Sequence, residues 1–289
     1  MNSDKTANLA SAREQFVKYL TDNRRAHATI LAYSKDIEQL VAFLSVMGKK
    51  AITEVEKADL EGFLKKLSAD GYTPKSLSRK INSIKTFYRF LKNQNFITVN
   101  PAAEISHPKY ETKPPRILSK MEYRALRDAC RSDIRTHAIV ELFLQTGIRI
   151  GELAALKLED ISEKELTIRP AESHPERTIP VNKAAKVALD KWLSIRPKTN
   201  GVSLFVTKTG RPLLVRNIRT TIDRYFKIAG IENAKVNDLR HTFIAHHLSS
   251  GTPLTVISQL VGHKRLATTE KYLDLVKEKA TANVKLEEL

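Results

Sequence analysis

The first third of the chain shows the hydrophobic spacing of amphipathic helices. Apolar residues recur at intervals of three and four, the spacing that places side chains on one face of a helix. One such stripe consists of Leu77, Ile81, Ile84, Tyr88 and Leu91, and an earlier one consists of Ile30, Tyr33, Ile37, Leu40 and Leu44. The pattern therefore predicts an all-helical region over residues 9 to about 96.

Residues suited to helix ends flank these stripes. Thr73 is predicted to be an N-cap, which places Pro74 at the first helical position, where its missing N–H group costs nothing. A further helix is predicted to begin near Thr53, with Glu56 three residues later completing a capping box, and to stop at Gly71.

The pattern changes at residues 99–117. This stretch has four prolines and no helical period, as expected of a linker. Beyond it we expect a hairpin in ELTIRPAESHPERTIPV and a short strand at 204–206. Helices are predicted at 119–131, 134–146, 183–195, 214–229, 238–250, 253–261 and 267–281. The chain thus divides into a helical domain (1–98), the linker (99–117) and a mixed domain (118–289).

The chain carries a large excess of positive charge. Its 49 Lys and Arg residues exceed its 32 Asp and Glu residues, which gives a formal net charge of +17. Such a surplus points to a polyanionic partner, with nucleic acid as the first candidate. A solvated helix face is the alternative interpretation of the same residues. The candidate DNA contacts are Arg79, Lys80, Lys85, Arg89, Arg216 and Arg219.

Composition also limits where the protein works. The only cysteine, Cys130, has no partner for an internal disulfide, so a reducing cytoplasm fits best. The chain lacks an apolar run of membrane-spanning length, and its N-terminal residues lack the apolar core of a signal peptide. The hydrophobic fraction of 42% is sufficient for packed cores. We therefore expect a soluble cytoplasmic protein of the nucleoid, with no membrane partner.

Four residues are candidates for the chemistry of DNA cleavage without a metal. That reaction needs a nucleophile for phosphorus, cations for the non-bridging oxygens and an acid for the departing sugar oxygen. Arginine suits the second role because its fork binds two phosphate oxygens and stays charged. Arg149 follows a helix break at Gly147, and Arg240 lies in the first turn of a predicted helix. His263 follows a glycine at a helix end, and Tyr272 lies nine residues later.

The motifs around these residues resemble those of tyrosine recombinases, the phage-integrase and Xer-type family. The matching pieces, in chain order, are TGIRIGEL, a hairpin ending in ERTIPV, DLRHTF and LVGHKRLATTEKY. The resemblance covers nearly the whole chain. It implies a mainly α fold with a small β-hairpin, in which a helical core-binding domain precedes an α+β catalytic domain.

The resemblance also implies a role for each matched residue. Tyr272 is the nucleophile that forms a 3′-phosphotyrosine, while Arg149 and Arg240 clamp the scissile phosphate. His263 hydrogen-bonds the same phosphate, and Glu152 supports the site around Arg149. Because the phosphotyrosine bond conserves the energy of the broken phosphodiester, religation needs no metal, ATP or other cofactor.

The same resemblance implies the partners. Four protomers would act on two duplexes of double-stranded DNA at core sites with inverted repeats, with or without accessory proteins. The segment after Tyr272 would pack on a neighbouring protomer. The target sequence stays open. The biological role also stays open between integration or excision of a mobile element, cointegrate resolution and chromosome-dimer resolution.

Two positions depart from the family pattern. Glu172 stands in the hairpin turn where the family has a lysine as general acid, and Asn237 stands where a histidine is common. Asn237 can hydrogen-bond a phosphate but cannot carry a charge. The candidates for the missing acid are His174, Glu172 with a raised pKa, and Lys164 if the hairpin shifts.

Two other functions stay open on the sequence alone. The missing lysine supports a DNA-binding or regulatory protein with a recombinase fold and weakened or lost cleavage. A type IB topoisomerase-like enzyme shares the chemistry, but the NPA linker and the compact helical N-terminal region resemble the recombinases instead.

Overall fold

A computed structural model describes residues 8–111, 113–170 and 175–281, with side chains described as far as residue 276. The chain forms two compact units, Met1–Thr112 and Lys113–Leu289. Each unit has a hydrophobic core of its own. The division into domains at 1–98 and 118–289 stays a prediction.

The first unit is built, over its described residues, from four helices and one short 3₁₀ turn. All five apolar positions predicted for the helix after Thr73 are buried. Thr73 caps this helix as predicted, because its side chain accepts a hydrogen bond from the backbone N–H of Ser76. The elements are α1 (Leu9–Asp22), α2 (His27–Val46), the 3₁₀ turn (Ile52–Glu54), α3 (Lys57–Ala69) and α4 (Pro74–Asn93).

The predicted start of α3 at Thr53 is wrong. Thr53 lies in the 3₁₀ turn, and the helix begins four residues later at Lys57. The capping box exists, but Glu56 is the N-cap and the carboxylate of Asp59 accepts from the backbone N–H of Glu56 at 2.8 Å. Glu56 therefore acts at the N-cap and not at the third helical position.

Part of the predicted linker belongs to the first core. Ala102 and Ile105 are buried there together with Ile97. The side chain of Asn100 accepts a hydrogen bond from the backbone N–H of Ala102, which fixes the turn that brings these residues inward. The absence of a helical period was therefore compatible with a packed turn as well as with a linker.

The second unit contains eight helices within its described residues and one antiparallel hairpin. Its helices are α5 (Lys120–Ala129), α6 (Ile134–Thr146), α7 (Ile150–Ala155), α8 (Lys183–Ile195), α9 (Val215–Ile228), α10 (Val236–Ser249), α11 (Leu254–Val261) and α12 (Ala267–Thr281). In the hairpin, β1 (Glu165–Ile168) pairs with β2 (Arg177–Pro180), and Ile168 lies opposite Arg177 at the turn end. This mainly α architecture confirms the predicted fold class.

The strand predicted at residues 204–206 is wrong. Val206 forms only an isolated bridge with Pro212. Leu204, Phe205 and Val206 are all buried, so their apolar character reflects packing in the core and not a strand. In the part of the chain that the structure describes, no helix is long and apolar enough to cross a membrane.

A close contact between α6 and α10 sets the geometry of the site. Gly147 ends α6 with a φ of 60°, in the left-handed region that favours glycine. A Cβ atom at this position would lie 2.4 Å from the ring of Phe243 on α10. The missing side chain lets the end of α6 approach α10, which brings Arg149 and Arg240 into one region.

Candidate active site

Arg149 lies at the N-cap of α7, directly after the turn that Gly147 makes possible. Its Nη1 donates to Glu152 Oε1 at 2.8 Å, and its Nη2 donates to the carbonyl of Gly262 at 2.7 Å. The backbone N–H of Arg149 donates to the other oxygen of Glu152 at 2.8 Å. The side chain keeps 28% of its surface exposed, so this guanidinium can meet a ligand.

Arg240 is the more deeply buried of the two predicted arginines, with 4% exposure. Its Nη1 donates to the carbonyl of Gly147 and its Nη2 to the carbonyl of Val261, both at 2.6 Å. Burial and the nearby positive charges of Arg149 and Arg177 lower the pKa of Arg240 to about 9. Arg240 remains charged at neutral pH, and a bound anion would reduce the repulsion between it and the other two arginines.

Arg177 is a further residue of this site: it lies in the matched motif ERTIPV, but the sequence analysis gave it no role. Its Nη1 and Nη2 donate to the two oxygens of Glu152 at 2.9 and 2.7 Å, and its Nε donates to the carbonyl of Leu260 at 2.8 Å. Burial opposes ionisation of Glu152, but the hydrogen bonds from Arg177 and Arg149 outweigh it and lower the pKa of that carboxyl to about 2.

Three consecutive carbonyls at the C-terminus of α11 each accept from a different arginine. Leu260 accepts from Arg177, Val261 from Arg240 and Gly262 from Arg149. Helix C-termini favour cations, because their last carbonyls lack partners within the helix. The end of α11 therefore gathers the three guanidinium groups. The sequence carried this signal only in part: the glycine before His263 marks the helix end, but nothing marks the carbonyls.

Tyr272 lies on α12 and is 5% exposed. It packs in a small apolar cluster with Phe243, Ile257 and Val261, and its ring lies 5.8 Å from that of His241. Burial raises the pKa of the phenol, and the positive charge of Arg240 opposes that rise. The phenol is therefore protonated at neutral pH and must lose its proton to act as a nucleophile.

His263 directly follows the turn that ends α11. Gly262 adopts a φ of 67°, and the backbone N–H of His263 bonds to the carbonyl of Ser258. The Nδ1 atom of His263 lies 2.7 Å from the hydroxyl oxygen of Thr269. This contact orients the imidazole ring and occupies Nδ1.

Asn237 forms part of a polar chain on the first turns of α10. Its Nδ2 lies 2.6 Å from Nε2 of His241, and Nδ1 of His241 lies 3.4 Å from Oδ1 of Asp238. Asn237 also lines a groove of about 470 Å³ together with Arg240 and Arg219. It therefore lies beside the arginine site, at the position the motif alignment gives it.

The structure describes one of the three candidates for the general acid. Glu172 and His174 lie outside the described residues. Lys164 is exposed and directly precedes β1, and its carbonyl accepts from Val181. At roughly 3.3 Å per residue, Lys164 is about 13 Å along the strand from the turn end where Arg177 lies. Its use would require the hairpin to move.

One predicted DNA contact is not at the surface. Lys80 is 3% exposed, and its Nζ donates to Asp36 at 2.9 Å. Asp36 also accepts from Arg79 and Ser83. Lys80 therefore belongs to a buried polar cluster, which the spacing of the apolar stripe did not indicate.

The other predicted DNA contacts differ in how far the protein itself binds their side chains. Lys85 donates to the carbonyl of Ala103, which leaves part of its polar surface available. Arg89 on α4 and Arg216 and Arg219 on α9 are exposed. These three side chains meet the requirement that a phosphate contact be accessible.

Two family models match most of the chain. Residues 116–279 match the model of the phage integrase family, and residues 14–95 match the phage integrase N-terminal SAM-like domain. The chain belongs to the phage integrase family.

Curated relatives place this recombinase among the tyrosine recombinases. It is 32% identical over 277 residues to tyrosine recombinase XerC of Shewanella amazonensis, with 93% of each chain covered. It is 33% identical over 258 residues to tyrosine recombinase XerC of Thermodesulfovibrio yellowstonii, with 84% of each chain covered. The family expected from the motifs, and with it site-specific DNA recombination, is confirmed.

Solved structures agree with the fold. The recombinase is 27% identical to XerA recombinase, with a TM-score of 0.54 and coverage of 96% of this chain and 99% of that chain. It also resembles lambda integrase in a dimer bound to a COC′ core site, at 20% identity and a TM-score of 0.76, covering 100% of this chain and 81% of that chain. At that identity the likeness shows the fold alone.

Proposed function

We propose that this recombinase cleaves and rejoins double-stranded DNA through a 3′-phosphotyrosine on Tyr272. The observation that carries the proposal is the convergence at the end of α11. There Arg149 and Arg240 bond to adjacent carbonyls, and Tyr272 is close enough for the charge of Arg240 to act on its phenol.

The proposed reaction exchanges one phosphodiester for another. The Tyr272 oxygen attacks phosphorus and its proton passes to water. The bond to the 5′ oxygen breaks, and that oxygen takes a proton from a general acid. The 5′ hydroxyl of a second strand then attacks the phosphotyrosine and releases Tyr272. Both steps conserve the number of ester bonds, so the reaction as proposed needs no ATP. The guanidinium groups would balance the phosphate charge in place of a metal ion.

Charge balance supports the roles of the arginines. Among the described residues, the three guanidinium groups at the end of α11 share a single ion-paired carboxylate, that of Glu152. The surplus of positive charge suits a phosphate whose negative charge grows on its non-bridging oxygens during attack. Arg149 and Arg240 would clamp those oxygens, with His263 donating a further hydrogen bond and Asn237 supporting the groove.

The general acid remains a choice between Glu172 and His174, with Lys164 requiring the hairpin to shift. A general acid contributes about 10²- to 10⁴-fold to a proton transfer of this kind. An inefficient acid would therefore slow cleavage without abolishing it.

The proposal extends to assembly on DNA. Lambda integrase has been solved as a dimer bound to a core site and as a tetramer bound to a Holliday junction. By likeness to it, we infer that four protomers of this recombinase act on two duplexes with inverted-repeat core sites, in the cytoplasm at the nucleoid. Binding of accessory proteins and packing of the segment after Tyr272 on a neighbour belong to the same proposal.

A nicked substrate tests the proposal. The binding site is first selected from a random duplex pool, and a nick placed beside the cleavage point then traps the covalent intermediate. We expect an adduct that disappears in Tyr272→Phe. The matched control is Tyr225→Phe, since Tyr225 lies in the same unit and its hydroxyl bonds to Asp133, which lies outside the arginine cluster. Loss of the adduct in both variants, or in neither, would contradict the assignment.

A second candidate is a DNA-binding regulator of recombinase fold. The glutamate at 172, where the family has a lysine, favours it. Site-selective binding by the wild-type chain without any adduct would support this function. Relaxation of supercoiled plasmid without exchange of partners would instead indicate topoisomerase-like activity.

A further inference from the structure

Each of the three guanidinium nitrogens of Arg177 donates a hydrogen bond to the protein. It lies at the first position of β2, with its side chain 9% exposed. Both Nη atoms bond to Glu152 and Nε bonds to the carbonyl of Leu260. Among the described residues, the side chains of Arg149 and Arg240 each donate through two nitrogens only, so Arg177 is the most fully engaged of the three arginines.

Arg177 links three elements of the site. The hairpin carries the residue itself, α7 carries its partner Glu152, and the end of α11 provides Leu260 just before His263. The fit is close at Gly262, where a Cβ atom would lie 2.9 Å from Nη1 of Arg177. Any larger residue at 262 would press on the guanidinium.

The carboxylate of Glu152 is shared unequally between Arg177 and Arg149. It accepts a two-point bond from Arg177, whereas the Arg149 guanidinium donates to it only once, at Oε1. Without Arg177, the carboxylate could turn to form the two-point pair with Arg149 that arginine and carboxylate prefer. That pair would draw Arg149 away from the carbonyl of Gly262 and neutralise much of its charge.

We propose that Arg177 is a positioning residue that holds Glu152 in a two-point bond and thereby leaves the charge and orientation of Arg149 available to the scissile phosphate. The inference rests on the proposed function. Arg177 also connects the first residue of β2 to the end of α11, just before the turn that carries His263.

The test compares cleavage rates at saturating nicked DNA. We expect Arg177→Met to slow adduct formation by about 10- to 100-fold, as for misplacement of a clamping group by about 1 Å, with DNA affinity nearly unchanged. Arg177→Lys should recover part of the rate, because an ammonium still bonds to Glu152. The matched control is Arg127→Met, since Arg127 pairs with Glu141 elsewhere in the same unit; its rate should equal that of the wild type.

A double variant separates positioning from a loss of folding. If freed Glu152 captures Arg149, then Glu152→Gln in the Arg177→Met background should leave the rate equal to or higher than that of Arg177→Met alone. Independent, additive losses would overturn the inference, as would a wild-type rate in Arg177→Met. Thermal unfolding of each variant identifies any that does not fold, and Arg177→Lys then supplies the comparison.

A neutral substrate gives a readout that a purely structural role would not change. A methylphosphonate at the scissile position lacks the negative charge that Arg149 would meet. The slowing by Arg177→Met should shrink on this substrate, and equal slowing on both substrates would overturn the inference. Arg149→Ala, run in parallel, tests the proposed function. Normal cleavage by Arg149→Ala would show that Arg149 does not clamp the phosphate. Normal cleavage by Arg177→Met together with slow cleavage by Arg149→Ala would overturn only the positioning role of Arg177.

Discussion

Each unit of the chain contains a buried carboxylate with two basic partners, yet the two arrangements have different consequences. Asp36 in the first unit binds Arg79 and Lys80, with Ser83 as a further donor. Glu152 in the second unit binds Arg149 and Arg177. The partners therefore do not distinguish a structural cluster from a catalytic one.

The difference lies in what surrounds each pair. Near Glu152 a third cation, Arg240, bonds to backbone carbonyls and has no carboxylate within 4 Å in the described part of the chain. Near Asp36, Lys80 is enclosed and also bonds to Gln39. A cation held by neutral carbonyls keeps its charge for a ligand, whereas one enclosed with a carboxylate is already paired and would be left as an uncompensated charge without that partner.

The largest expected effect comes from removing that third cation. Arg240→Ala should lower the cleavage rate by roughly 10²- to 10³-fold, the cost typical of losing one preorganised donor to a developing oxyanion. Arg149→Ala should act similarly, and both should largely keep DNA binding. The measurement is adduct formation on nicked DNA together with a binding titration. Weak binding with normal cleavage of the bound DNA would break the contrast between the two clusters.

Removing the carboxylate of the first unit should affect stability instead. Asp36→Asn leaves Lys80 buried without its charged partner, which typically costs about 3–5 kcal/mol. Urea unfolding measures this loss. The folded fraction of Asp36→Asn should cleave bound DNA at the wild-type rate, and a cleavage defect larger than the folding defect would count against a purely structural role for Asp36.

Acid should weaken the cluster around Glu152. The pKa of Glu152 in the folded protein, about 2, lies below its ordinary value of 4.5. Its contribution to the free energy of unfolding is therefore complete above pH 4.5 and disappears as the pH falls through 2. A shift of this size corresponds to roughly 3 kcal/mol of unfolding free energy. Urea unfolding between pH 5 and pH 3 should show a gap between wild type and Glu152→Gln that narrows with acid. Parallel curves would show that the charge of Glu152 adds nothing.

The smallest effect concerns the exposed arginines. Arg219→Ala should reduce the slope of log affinity against log salt by about 0.9, the value for one lost phosphate contact on B-DNA. Lys198→Ala is the control, because Lys198 is an exposed basic residue outside the predicted contacts. Equal slopes in the two variants would remove Arg219 from the interface.

Local patterns predicted much of the fold. The apolar stripe of residues 77–91, with Thr73 and Pro74 before it, determined α4 to within two residues of its observed end at Asn93. The helix end at Gly147 could also be predicted from the sequence, since glycine readily adopts the left-handed backbone conformation that often ends a helix. Both signals are local in sequence.

Contacts between distant residues could not be read in this way. Arg177 meets Leu260 across 83 positions and Glu152 across 25, and neither spacing leaves a periodic signal. Lys80 was assigned to the surface because it lies outside the apolar stripe of its helix. Its partner, Asp36, lies 44 positions away on another helix. Motif resemblance supplied Arg149, Arg240, His263 and Tyr272, with Glu152 as a support for Arg149. It did not indicate the backbone carbonyls that hold the arginines.

The most direct test of covalent catalysis by Tyr272 is to identify the residue that becomes attached to DNA. The trapped adduct is digested with nuclease and trypsin, and the peptides are sequenced by mass spectrometry. We expect a nucleotide attached through its 3′ phosphate to Tyr272, in the peptide that follows Lys271. A nucleotide on any other residue, with Tyr272 unmodified, would contradict the proposed mechanism.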